Sequence, residues 1–98
     1  MKHEIVNKKL VFYLEGELNS YNASDVEKEI DEVISQGGFD TVVWDIEKLK
    51  YMSSAGLRIV ARLKQIYDDF SIINMSEDIY EIFAMVGFSE IINIKRKK

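Results

Sequence analysis

Two adjacent serines, Ser53 and Ser54, are the side chains of this chain best placed to take part in chemistry. They stand between an apolar strand run, Val42, Val43 and Trp44, and an apolar stripe with helical spacing that begins at Leu57. A strand feeding a helix leaves the first helical N–H groups unpaired and aimed outward, which makes a seat for an anion. A serine in that seat can itself become the anion, because phosphorylation of its hydroxyl adds about −1.5 to −2 charge. Serine is also a common helix N-cap, worth about 1 kcal/mol, and one position can serve both ends.

The other reactive side chains support less. Asp45 and Glu47 are paired carboxylates of a type used for metal or acid–base work, but a strand-end Asp that orders its loop is the favoured reading. His3 is the only histidine and falls in a terminal strand, so no His-based triad or metal cluster is expected. The glycines form no phosphate-cradling run. No catalytic set, cofactor site or metal site is therefore expected, and the chain does not read as an enzyme.

A chain of 98 residues, 47% of them apolar, makes a single domain over 1–98 with one core. There is no cysteine, which excludes disulfides and suits a reducing compartment. No apolar run approaches the roughly 20 residues that span a bilayer, and the first residues lack a signal-peptide pattern. A cytoplasmic protein without direct membrane insertion is expected. The net charge of −4 argues against nucleic-acid binding. The basic cluster at 95–98 reads as a frayed, solubilising tail, and more sharply as a docking point for an acidic partner.

The elements that must position the serines follow from periodicity and punctuation. Residues 3–6 form a short strand, Asn7-Lys8 a tight turn, and 10–15 a second strand ended by Gly16. A helix over 22–36 has Asn22 as N-cap, Asp25 completing a capping box, and Gly37-Gly38 as its stop. The strand at 42–44 is closed by Asp45, and a loop over 46–52 leads to the two serines, which supply N-cap hydroxyls for a helix reaching Tyr67. A strand at 70–75 precedes a helix capped by Ser76, with Glu77 and Asp78 in its first turn and Ile79, Ile82, Phe83 and Val86 as its stripe. Gly87 ends it, and Phe88 with 91–94 makes the last strand. The order β-β-α-β-α-β-α-β predicts an α/β fold: a small single domain with a mixed β-sheet and three helices mainly on one face.

On the helix after Ser54, Arg58, Arg62 and Gln65 share a polar strip opposite a broad apolar arc, with Ser54 one turn before Arg58. That strip reads as a solvated face, and more sharply as the edge of a partner surface formed by Ser54, Arg58 and Arg62, its arginines meeting the partner's carboxylates.

The segments LEGELNSYNASDVE (14–27), VVWDIEKLKYMSSAGLR (42–58) and IYEIFAMVGFSEIINI (79–94) together resemble the STAS domains of bacterial anti-anti-sigma factors, the anti-sigma factor antagonists. The family's switch sequence is typically Asp-Ser-Ser/Thr-Gly-Leu, and its serine after the aspartate is phosphorylated. Matching Gly56 and Leu57 to Gly-Leu implies that Ser54 is the phosphoacceptor, with Ser53 the less favoured choice. Two acids of the family pattern are replaced by neutral residues here, at Asn19 and Ser53. The resemblance further implies a partner-binding surface of Asn19, Ser20, Tyr21, Ser53, Ser54, Gly56, Leu57, Arg58 and Arg62. The implied partners are an anti-sigma factor that is also a serine protein kinase, and a serine phosphatase, with the chain a monomer or weak dimer. A second implication, favoured by the neutral residues, is a non-phosphorylated STAS subunit of a transport or other regulatory complex.

Overall fold

The computed structural model describes residues 1–97. Its strands are β1 (Lys2–Val6), β2 (Lys9–Leu18), β3 (Thr41–Met52), β4 (Ser71–Met75) and β5 (Asn93–Arg96). Its helices are α1 (Ala23–Ile34), α2 (Ser54–Ile66) and α3 (Glu77–Met85), and a single 3₁₀ turn covers Phe88–Glu90. The sheet runs in chain order from β1 to β5. β1 pairs antiparallel with β2, and every later pair is parallel. The expected mixed sheet and element order are both present.

The β1–β2 turn places Asn7 at φ 51° and Lys8 at φ 66°, the left-handed pair that a two-residue hairpin needs to match strand twist. From β2 onward each crossover steps to the next strand in the same direction. Right-handed crossovers of that kind leave all three helices on one face of the sheet. Leu10, Phe12, Val42, Trp44 and Ile72 on that face are fully buried, in register across β2, β3 and β4. Ile30, Val60, Leu63 and Phe83 close over them from the helices. Trp44 meets Phe70 edge-on at 5.7 Å. The alternate residues Val11, Tyr13, Asp45 and Ile73 remain partly exposed on the uncovered face.

Three expectations are corrected. Gly16 does not end β2 and Asp45 does not end β3; both strands continue, to Leu18 and Met52, and the expected loop at 46–52 is strand. The cause is a pair of register shifts. Tyr13 pairs with Asp45 but Glu15 with Lys48, and Gly16 pairs with Leu49 but Glu17 with Tyr51. Each shift gives β3 an extra residue, so its buried Ile46, Leu49 and Met52 recur at every third position. That spacing hides the period-two signature of a strand.

The last strand is displaced too: Phe88 lies in the 3₁₀ turn, and β5 takes in Lys95 and Arg96. The tail expected to fray is docked over 95–97, because the Lys97 N–H donates to the Met75 carbonyl at 2.7 Å. Arg96 lies 4.3 Å from the Tyr80 ring centroid and 3.3 Å from Glu77. Lys98 lies outside the described residues.

Candidate functional site

Parallel strands deliver their C-terminal ends, and hence the N-termini of the following helices, to one pole of the sheet. At that pole β2 hands over to α1 through a reciprocal pair of asparagines. The Asn19 side-chain oxygen accepts from the N–H groups of Tyr21 (2.9 Å) and Asn22 (3.1 Å). The Asn22 side-chain oxygen accepts from the Asn19 N–H at 2.9 Å. The reciprocal bonds box in the turn ahead of α1, and the expected capping box is absent: Asn22 stands at the N-cap of α1 but makes no side-chain cap to it. The box fixes the intervening backbone, leaving Ser20 exposed and Tyr21 94% exposed.

The end of β3 lies alongside. Leu18 and Met52 are register partners, and the Ser53 N–H donates to the Leu18 carbonyl at 2.8 Å. Ser53 alone caps α2: its backbone is extended and its hydroxyl accepts from the Ala55 N–H at 3.2 Å. Ser54, expected to share the capping, is instead the first helical residue. It is exposed, and its hydroxyl has no hydrogen-bond partner among the described residues. The first turn of α2 carries no acidic residue, so its partial positive charge is left without an internal counter-charge.

Gly56 explains how the helix comes so close. A Cβ there would stand 2.7 Å from Met52 Cγ and 2.9 Å from Leu18 Cδ2, both on buried side chains. Only glycine lets the first turn of α2 seat directly on the ends of β2 and β3. Leu57 is half-buried against the core.

The two arginines of the polar strip part company. Arg58 is exposed, one turn from Ser54. Arg62 is committed within the fold: Nε lies 2.6 Å from Glu27 and Nη2 2.6 Å from Asp31, both on α1. The Asp31 hydrogen bond, with Glu27 adding to it against partial burial, raises the Arg62 guanidinium above its ordinary pKa. Glu27 and Asp31 were missed from sequence. Their i, i+4 spacing, which puts two acids on one helix face, was the available signal.

Asp45 and Glu47 do not form a reactive pair. The Asp45 carboxylate accepts from the Glu47 N–H at 3.1 Å and, through both oxygens, from the Asn74 amide at 3.2 Å. Among the described residues no group of three or more His, Cys, Asp or Glu could hold a metal ion. A cleft of about 580 Å³ opens beside the pole, lined by Leu14, Leu18 and Leu49, by the acids Glu15, Glu17 and Asp25, and by Lys2 and Lys48.

The STAS domain family model matches residues 1–98 of the chain. This chain belongs to the STAS domain family. BtrV of Bordetella bronchiseptica, to which an anti-sigma factor antagonist role is ascribed, is 31% identical over 93 residues, covering 91% of this chain and 79% of BtrV. Among solved structures, this STAS domain superposes on the unphosphorylated anti-sigma factor antagonist SpoIIAA with TM-score 0.74 at 24% identity, covering 95% of this chain and 85% of SpoIIAA. The phosphorylated form of Bacillus SpoIIAA gives TM-score 0.69 at 23% identity, with 95% and 88% covered. A sulfate transporter family protein from Wolinella succinogenes shares the fold at TM-score 0.76 and 11% identity, with 94% and 80% covered. The chain is thus an STAS domain of the anti-sigma factor antagonist-like kind. No helix among its described residues is long and apolar enough to cross a membrane.

Proposed function

We propose that this STAS domain is a cytoplasmic, non-catalytic binding module that captures an anti-sigma factor through the pole shared by the β2–α1 turn and the start of α2, and that phosphorylation of Ser54 releases it. The observation that carries the reading is the division of labour between the two serines. Ser53 holds the helix, while Ser54 stands exposed with its hydroxyl unengaged, so Ser54 is open to modification without loss of the cap. Asn19, Ser20, Tyr21 and Arg58 border it as the contact surface. The relatives support the partner class, since BtrV and SpoIIAA are named as anti-sigma factor antagonists. SpoIIAA has both unphosphorylated and phosphorylated forms.

Magnitudes decide how such a switch works. A phosphate at a helix N-terminus is favoured by about 0.3–1 kcal/mol, so it leaves the fold intact. At an interface the same dianion must be desolvated and meets whatever charge the partner holds, which costs several kcal/mol, and each 1.4 kcal/mol is about tenfold in affinity. The anti-sigma factor would act as the serine kinase and a separate phosphatase would restore binding, with this chain a monomer or weak dimer. Intact mass with site mapping, on protein isolated from its native host under several growth conditions, tests the switch. One phosphate on Ser54 that varies with condition is expected, together with loss of partner capture by Ser54→Asp and its retention by Ser54→Ala. Equal capture by both variants would sink the proposal.

A second reading, a non-phosphorylated subunit of a transport complex, draws on the shared fold of the Wolinella protein and on the neutral Asn19 and Ser53. Absence of phosphate under every condition, with a transport component co-purifying, would favour it.

A further inference from the structure

The basic strand β5 is not used by the Ser54 site. Four of the chain's basic residues fall consecutively at 95–98 in a chain of net charge −4. β5 is an edge of the sheet, with β4 its only strand neighbour among the described residues. An edge strand presents backbone N–H and C=O groups that can pair with another chain. Its counterpart at the opposite edge, β1, mixes Lys2 and Glu4 and has no single sign of charge.

Two of the basic side chains at this edge, Arg96 of β5 and Lys97 just after it, are held in place. Arg96 is held over Tyr80 at 4.3 Å and within 3.3 Å of Glu77. The Lys97 N–H is bonded to Met75 O, and its Nζ reaches the Glu47 carbonyl at 3.1 Å. Lys95 is exposed and has no ion-pair partner among the described residues. The nearby Asp45 carboxylate is occupied by the Asn74 amide. Ile91, just ahead of the strand, is 57% exposed and offers an apolar contact beside the charges.

We infer that β5 is a docking edge for an extended acidic segment of a partner protein, which adds as a sixth strand and sets the carboxylates of its alternate residues against Lys95 and Lys97 on one face, Arg96 being held on the other by Tyr80 and Glu77. Main-chain pairing supplies affinity in such strand addition, and side-chain charge supplies selection and orientation. Because the strand is already ordered by Met75, Tyr80 and Glu77, the domain side loses little freedom on docking.

The probe is a short synthetic peptide alternating glutamate and valine, titrated into the isotopically labelled full chain and followed by amide chemical shifts. Shifts confined to Asn93–Arg96 and its neighbours are expected, with affinity falling as salt is raised. Combined Lys95→Glu and Lys97→Glu substitutions are expected to weaken binding about tenfold, whereas Lys28→Glu on α1, half of that charge change placed elsewhere, has no effect. If the double variant fails to fold, Lys95→Gln with Lys97→Gln carries the same comparison. Equal binding of a glutamine–valine peptide, or shifts centred away from β5, would overturn the inference. So would binding to phosphatidylserine vesicles without binding to the peptide, or salt-sensitive self-association of the chain without any peptide.

Discussion

The N-termini of α2 and α3 meet the same physical problem and answer it differently. Both helices start from an extended serine: Ser53 caps α2 by accepting from Ala55 N–H, and Ser76 caps α3 by accepting from Ile79 N–H at 3.3 Å. Beyond the cap they diverge. The first turn of α3 holds Glu77 and Asp78, whereas that of α2 holds no acid. At the third helical position α3 buries Ile79 and α2 has Gly56 pressed onto Leu18 and Met52. α3 carries its own counter-charge and its own apolar anchor. α2 borrows its anchor from two strand ends and leaves its positive end open, so an added anion gains at α2 and meets like charge at α3.

The substitution expected to break this contrast most is Gly56→Ala. The new methyl collides with buried Met52 and Leu18, and overpacking of about 1–3 kcal/mol outweighs a helix-propensity gain of under about 1 kcal/mol. A thermal melt reads the loss, and an unchanged Tm would show that α2 can lift off the strand ends at no cost. Removing the caps comes next: Ser53→Ala and Ser76→Ala are each expected to cost about 1 kcal/mol in urea unfolding.

Charge changes are smaller and of opposite sign at the two helices. Ser54→Asp is expected to stabilise by about 0.3–1 kcal/mol, and Glu77→Gln to destabilise by a similar amount, both shrinking with added salt. Destabilisation by Ser54→Asp would mean that the start of α2 is already compensated. Smallest of all, Ser54→Ala is expected to stay within about 0.5 kcal/mol of the parent, since its hydroxyl holds no bond in the fold. A loss near 1 kcal/mol would make Ser54 a structural residue and remove the basis for separating its role from that of Ser53.

Much of the scaffold was legible locally. The Asn7-Lys8 turn, the Ser76 cap, the Gly87 stop and the sequence of strands and helices all rest on short-range chemistry, and each is present in the structure. The second halves of β2 and β3 were not legible, because two register shifts replace alternation with a spacing of three. β5 was displaced for a related reason: the apolar run at 91–94 suggested the strand, but pairing with β4 selects Asn93–Arg96 and draws in the basic residues.

The same division runs through the candidate site. Residue order alone marked Ser53 and Ser54 as the start of a helix after a buried strand, because capping chemistry and helical periodicity act over a few neighbours. Which serine caps depends on the Ser53 N–H bonding to Leu18 O, a contact made only when β2 and β3 run side by side to their ends. The reach of Arg62 to Glu27 and Asp31 likewise exists only once α1 and α2 lie together on one face of the sheet. Local sequence fixes what each turn of chain prefers. Packing between segments distant in sequence decides which of those preferences are free at the surface, and here it leaves Ser54 and Arg58 exposed while committing Ser53, Gly56 and Arg62 to the fold.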